Sequence, residues 1–195
     1  MTLLDRVLSA EHHDVLDRAD AFATETLAPR SQKIEDSREF PRDVVEAAGE
    51  AGLLGILLPE EYGGLGGDFI SYCLALERVA EESGAVAETI QGHTFATLPV
   101  LHFGTQEQQN RLLPKLAAGE SVGAMLLTEP DAGSSPTELG TVAEVTDDGY
   151  LLSGEKSFGT NAGVADVHLV VARKRPQPDD SHGVSVFLVP NPDDV

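Results

Sequence analysis

The sequence predicts an α+β protein: an all-α N-terminal domain, residues 1–120, followed by an antiparallel β domain, residues 121–195. Three observations carry this. Up to Gly119 the apolar residues recur with a helical period between recognisable caps and stops. Beyond it, residues 142–146 and 150–153 flank Asp147-Asp148-Gly149, a strong hairpin signal. Residues 167–172 and 184–189 are then β-branched runs of strand length.

The first helix sets Leu4, Leu8, Val15, Ala19 and Phe22 near one face and ends around Pro29. Pro41 opens the second, where its missing N–H costs nothing, and Val44, Val45 and Ala48 follow on one side. LLPEEYGGLGGD (57–68) carries four glycines and reads as a flexible connection. Asp68 caps the next helix, whose buried side is Leu74, Leu76, Val79 and Ala80 and which Gly84 stops. Cys73 in that apolar run is expected to be a buried structural thiol. A further helical run from Val86 is interrupted or kinked near Pro99 and ends at Gly104. Thr105 and Gln108 then form a capping box for a helix carrying Leu112 and Leu113, which stops near Pro114 with a short helical turn to Gly119. In the second domain a strand ends at Leu126-Leu127, and RKRPQPDDSHG (173–183) is a charged loop between the last two strands. So small a sheet has open edges, and more chain or a partner is expected to cover it.

Composition excludes several function classes. Thirteen Lys and Arg against thirty-three Asp and Glu leave a net charge of −20, which repels nucleic acid phosphates and anionic membranes. The longest apolar stretch, residues 53–58, is far too short to span a bilayer, and the N-terminus has no long apolar run of the secretory kind. A single cysteine allows no intrachain disulfide and fits a reducing cytoplasm. Glu11-His12-His13-Asp14 looks metal-like, but consecutive helical residues point apart, so no shared ion is expected. GGLGGD neither follows a strand in a βαβ unit nor matches a dinucleotide fingerprint, and no Ser–His–Asp set can be nominated.

Two segments carry chemistry: LLTEPDAGSS (126–135) and GEKSFGTNAGVAD (154–166). The first ends a strand and turns at Thr128, Pro130, Gly133 and Ser134, which gathers backbone N–H groups and hydroxyls on one small surface. Taken alone it is also an ordinary turn whose Thr and Ser satisfy their own backbone, and Phe158 alone belongs more naturally to a core. With LLPEEYGGLGG (57–67) and FGTQEQQNRLLPKLAAGES (103–121) ahead of them in order, the segments resemble the acyl-CoA dehydrogenase family over most of the chain.

The resemblance implies an N-terminal helical domain, part of the middle β domain, and bound FAD. The positions matching flavin contacts are Met125, Leu127, Thr128, Gly133, Ser134, Phe158, Gly159 and Thr160. By the same likeness Thr128 donates to the N1/O2 edge of the ring, Phe158 packs beside it, and Thr160 bonds near N5. Aligned donors at that edge favour hydride acceptance, because reduction places negative charge there. Ser134 lies near the mouth of the site, and Gln91 and Phe95 look toward the acyl chain; helix packing for Phe95 and a surface or capping role for Gln91 fit equally well. Two departures, Ser135-Pro136 where the family commonly has Asp and Gly159 where it has a bulkier residue, are expected to loosen the site.

The implied reaction is α,β-desaturation of an acyl-CoA thioester, a carboxylate taking the α proton while the β hydride passes to flavin. In the family that base lies in a C-terminal helical domain, so no residue of this chain is expected to be catalytic, the chain is read as truncated, and Glu129 is set aside as structural. The implied partners are acyl-CoA, an electron-transfer flavoprotein as acceptor, and further copies or a complementing chain. Two alternatives share the fold: a flavin monooxygenase or oxidase component, and a non-catalytic partner-binding fragment. Only four of the cations are lysines, which favours a surface adapted to high salt over plain solvated acidity. The melting temperature is therefore expected to rise from dilute buffer to molar salt; equal stability across that series refutes the adaptation.

Overall fold

A computed structural model describes residues 7–135, 138–175 and 183–190. The chain divides into two compact units, residues 1–122 and 123–195. The first is helical and the second is built on a sheet, in the order expected.

Helix α1 (Ala10–Ala21) begins at a capping box in which Ser9 Oγ accepts from His12 N–H and Ser9 N–H donates to His12 Nδ1 at 2.9 Å. With Nδ1 accepting, the neutral ring carries its proton on Nε2, which lies 3.0 Å from Asp68 Oδ2. Asp68 itself caps α4 (Phe69–Glu82) by accepting from Ser71 N–H. That bond first, and the one to His12 second, hold its carboxyl below the usual carboxylate range. One imidazole thus joins the starts of two helices that pack on each other.

α1 passes into a wider π turn over Phe22–Leu27, which buries Phe22, Ala23 and Leu27. Leu8 lies just ahead of the cap and is half-buried, while Leu4 lies outside the described residues. A short helix, α2 (Ser31–Ser37), follows; it buries no residue, so no apolar period announces it. α3 (Arg42–Glu50) opens after Pro41 and buries Val44, Val45 and Ala48 as expected.

The glycine-rich stretch is not a loose connection. After a 3-10 turn at Glu60–Tyr62, the backbone folds back over the buried 53–58 segment: Leu65 N–H donates to Gly55 O at 3.0 Å, Gly66 to Leu58 O at 2.8 Å, and Gly67 to Ile56 O at 2.7 Å. A Cβ on Gly64 would sit 2.1 Å from Leu58 O, so glycine here permits close backbone approach.

α4 buries Ser71, Tyr72, Ala75 and Val79. Of the four residues expected inside, only Val79 is buried; Leu74 and Leu76 are half-buried and Ala80 is exposed. Cys73 is likewise exposed, because the buried face is set by Tyr72, Ala75 and Val79. α5 (Gly84–Phe103) runs through Pro99, and α6 (Gln106–Ala118) runs through Pro114 rather than stopping there. Leu116 and Ala117, both buried beyond Pro114, keep the second helix going despite the lost backbone bond, and Gly119 at φ 77° ends it. The Thr105–Gln108 capping box forms as read.

The second unit is a mixed sheet rather than a purely antiparallel one. β2 (Val142–Thr146) and β3 (Gly149–Ser153) form the hairpin, with Thr146 opposite Gly149 and Asp147-Asp148 at its tip. β4 (Val167–Arg175) is the spine. β5 (Val184–Pro190) pairs antiparallel along one edge of it, from Val167 to Arg173. Its other edge is shared by two parallel neighbours, β1 (Gly123–Leu126) against Val167–Val170 and β2 against Arg173–Arg175. Leu169, Val171 and Ala172 bury one part of this spine, and Val171 packs with Ala132 and Leu139.

Gly64→Ala is expected to cost the helical unit about 2–3 kcal/mol, since backbone and not a movable side chain occupies the space. Gly84→Ala, which meets nothing within 4 Å, serves as the neutral control in urea unfolding followed by circular dichroism.

Candidate functional site

The first turn grows from the end of β1. Leu127 and Thr128 leave the strand half-buried, and the chain reverses at Pro130-Asp131, closed by Glu129 N–H to Ala132 O at 2.7 Å and Ala132 N–H to Glu129 O at 3.3 Å. Met125, half-buried on β1, and Leu127 pack against the Ala132, Leu139 and Val171 cluster. Gly133 and Ser134 are exposed beyond the tip.

The second segment lies against this turn. Ser157 N–H donates to Thr128 O at 2.8 Å, and from there the chain runs back along β1. A Cβ on Gly159 would fall 2.6 Å from Leu126 Cδ2 and 2.9 Å from Ala162 Cβ, and Asn161 Nδ2 donates to Gly123 O at 3.3 Å. At the glycine expected to loosen the site, the backbone thus lies close to the Leu126 side chain of β1. Phe158 and Asn161 both take left-handed backbone, at φ 55° and 65°. The turn closes through Ala162 N–H to Gly159 O, Val164 and Ala165 N–H to Asn161 O, and His168 Nε2 with Ala162 O at 2.9 Å. Within it Phe158 is 93% exposed, while Gly159 and Thr160 are half-buried.

A buried ion pair fastens the two segments. Glu129 is 8% exposed, and its Oε1 receives Lys156 Nζ at 2.7 Å and Thr141 N–H at 3.0 Å, while Gly140 N–H donates to Oε2. Lys156 Nζ also donates to Leu127 O at 2.9 Å. Burial pushes the Glu129 carboxyl upward, but Lys156 and the Thr141 and Gly140 donors outweigh it and bring it down to about 2. The sequence marks Glu129 as structural but does not reveal its partner, because no local pattern links residues 27 apart.

The structure therefore brings Met125, Leu127, Thr128, Phe158, Gly159 and Thr160 into one neighbourhood, with Gly133 and Ser134 on the outer arm of the first turn. Ser135 is half-buried, and Pro136 lies outside the described residues. Gln91 and Phe95 belong to the helical unit, four residues apart and so on one face of α5; Gln91 is half-buried and Phe95 is 53% exposed.

The family model for the N-terminal domain of acyl-CoA dehydrogenases matches residues 9–120, and that for the middle domain matches residues 124–194. The chain belongs to the acyl-CoA dehydrogenase family. Among its relatives, an acyl-CoA dehydrogenase of Bacillus subtilis is 41% identical over 86% of this chain and 44% of its own length. Butyryl-CoA dehydrogenase from Megasphaera elsdenii superposes with a TM-score of 0.86 at 33% identity, covering 95% of this chain and 49% of that one. An acyl-CoA dehydrogenase of Bacillus anthracis, solved in complex with FAD, gives 0.84 at 36% identity, covering 97% and 32%. The chain thus spans less than half the length of these relatives. It carries the family's helical and sheet architecture, and no helix among its described residues is long and apolar enough to cross a membrane.

The Glu129 shift fixes a pH dependence. A carboxyl lowered from 4.5 to about 2 contributes stability that is complete above the higher value and lost as pH falls through the lower one. Other carboxylates titrate nearby in pH, so the comparison is with Glu129→Gln. The stability gap between wild type and variant is expected to close between about pH 4.5 and about pH 2 in urea titrations. A gap unchanged over that interval refutes the role given to this carboxylate.

Proposed function

We propose that this chain forms the flavin-holding part of an FAD-dependent acyl-CoA dehydrogenase-type oxidoreductase acting on an acyl thioester. The single observation that carries the reading is the hydrogen-bonded junction of two turns, Thr128 O to Ser157 N–H, followed directly in the chain by an exposed aromatic ring at Phe158. A 93% exposed phenylalanine on left-handed backbone is a poor surface residue, and a flat aromatic ligand is the kind of group that covers it. The residues present fit FAD: hydroxyls at Thr128, Ser134 and Thr160, a ring at Phe158, and a Gly159 that keeps the second segment tight against β1.

Bound FAD supplies a two-electron acceptor. In this reading Thr128 and Thr160 orient the ring by donating to its polar edge, Phe158 excludes water from one side, and Ser134 borders the mouth. Gln91 and Phe95 line the approach of the acyl chain. None of the 195 residues is assigned as the base that removes the α proton, and Glu129 is excluded from that role because its carboxylate is already bound by Lys156, Gly140 and Thr141. An electron-transfer flavoprotein is the acceptor and the cytoplasm the compartment, the latter resting on the lone cysteine. Assembly with further copies or a complementing chain belongs to the same reading.

Titration of the purified chain with excess FAD is expected to give saturable but weak binding, lowered about tenfold by Thr128→Val. Anaerobic addition of an acyl-CoA is expected to leave that flavin oxidised, since the chain holds no assigned base. Absence of saturable binding refutes the flavin reading. Reduction only by an external reductase, in any assembly that restores turnover, favours the monooxygenase or oxidase alternative.

A further inference from the structure

We infer that Lys156 is the positioning residue of the flavin site: its ammonium fixes the Thr128 turn against the Ser157–Thr160 segment. The inference rests on the flavin reading above and names what sets that site's dimensions. The two acceptors of Lys156 Nζ are Leu127 O at 2.9 Å and Glu129 Oε1 at 2.7 Å, the residues on either side of Thr128. Thr128 itself is bound through its carbonyl by Ser157 N–H, the residue directly after Lys156. Three consecutive residues of one segment are therefore held by two consecutive residues of the other.

The carboxylate extends the tie to a third stretch of chain, since Gly140 and Thr141 donate to it from the approach to β2. Position 156 is also an unexpected place for a lysine. The chain has four, on a surface of strongly negative charge, yet this side chain is only 10% exposed. A buried ion pair is a weak device for stability, because well-packed apolar residues do as well; what it supplies is a defined geometry between the groups it joins. Here the groups joined are the two turns that carry Thr128 and Thr160. A wrong spacing between them would leave each turn intact and misplace their hydroxyls relative to one ring.

Amide hydrogen exchange and FAD titration of the whole chain test this in Lys156→Met and Lys156→Arg. In Lys156→Met the Ser157 amide is expected to exchange at least about tenfold faster while the Leu169 amide on β4 keeps its wild-type rate. FAD affinity is expected to fall about tenfold or more, with a shifted visible band for the flavin that still binds. Lys156→Arg, which keeps the charge and can reach both acceptors, is expected to restore most of the protection and affinity. An unchanged Ser157 rate, or loosened Ser157 with unchanged FAD affinity and spectrum, overturns the inference and leaves the flavin reading standing. Should Lys156→Met unfold the sheet, Lys156→Gln is read by the same two amides: selective loss at Ser157 supports the inference, and uniform loss or none overturns it. A wild-type chain that binds no FAD refutes the flavin reading, and the exchange comparison then decides alone whether Lys156 sets the two turns.

Discussion

The carboxylate of Glu129 has been taken out of water, and the arrangement of the sheet unit follows from keeping it charged there. An ion of this kind is tolerated only where its lone pairs are met, and three donors from two other stretches of chain do so, counting the cation of Lys156. Each donor fixes a distance. Gly140 and Thr141 bring the approach to β2 under the turn, and Lys156 brings the second segment onto the first. β4 completes the frame by pairing with β1 beside Gly123–Leu126, which leaves residues 157–161 to run back along β1 before entering β4. The site neighbourhood is a consequence of these constraints and not an independent loop conformation.

The helical unit solves a similar problem with a different group. Helix starts leave orphan N–H donors, and Ser9, Asp68, Ser83 and Thr105 each satisfy one with a side-chain oxygen. His12 is the exception in kind, since it serves its own helix through Nδ1 and reaches the cap of another through Nε2. Both units therefore use one polar side chain to join chain segments far apart in sequence. In the helical unit the joint is exposed and the apolar core carries the stability; in the smaller sheet unit the joint is buried and lies beside the turns.

Local chemistry was readable and distant chemistry was not. Asp68, the Thr105–Gln108 box, Gly119 and the Asp147-Asp148 hairpin each announce themselves within a few residues, because caps and turns are satisfied by near neighbours. The short α2 went unseen because it buries nothing. Pro114 misled because the packing of Leu116 and Ala117 is a tertiary fact that outweighs one missing backbone bond. Cys73 misled because an apolar run does not say which of its residues faces inward. Parallel pairing of β1 and β2 with β4 leaves no periodic mark in any single strand, so an antiparallel sheet was the natural reading. The two site turns were legible as motifs, whereas the ion pair between them was not.

Phe158 shows how the legible and illegible parts meet. Its left-handed backbone, together with that of Asn161, costs on the order of 1–3 kcal/mol at each residue, and nothing in the turn's own hydrogen bonds requires a phenylalanine there. A ring 93% exposed recovers none of that by burial. Fully burying a phenylalanine side chain is worth about 1.5–3 kcal/mol. The gain from covering the ring is thus of the same order as the strain at Phe158 itself. Strain held at an exposed aromatic, with Gly159 beside it where an added Cβ would meet Leu126 and Ala162, is the feature on which the proposed flavin reading leans.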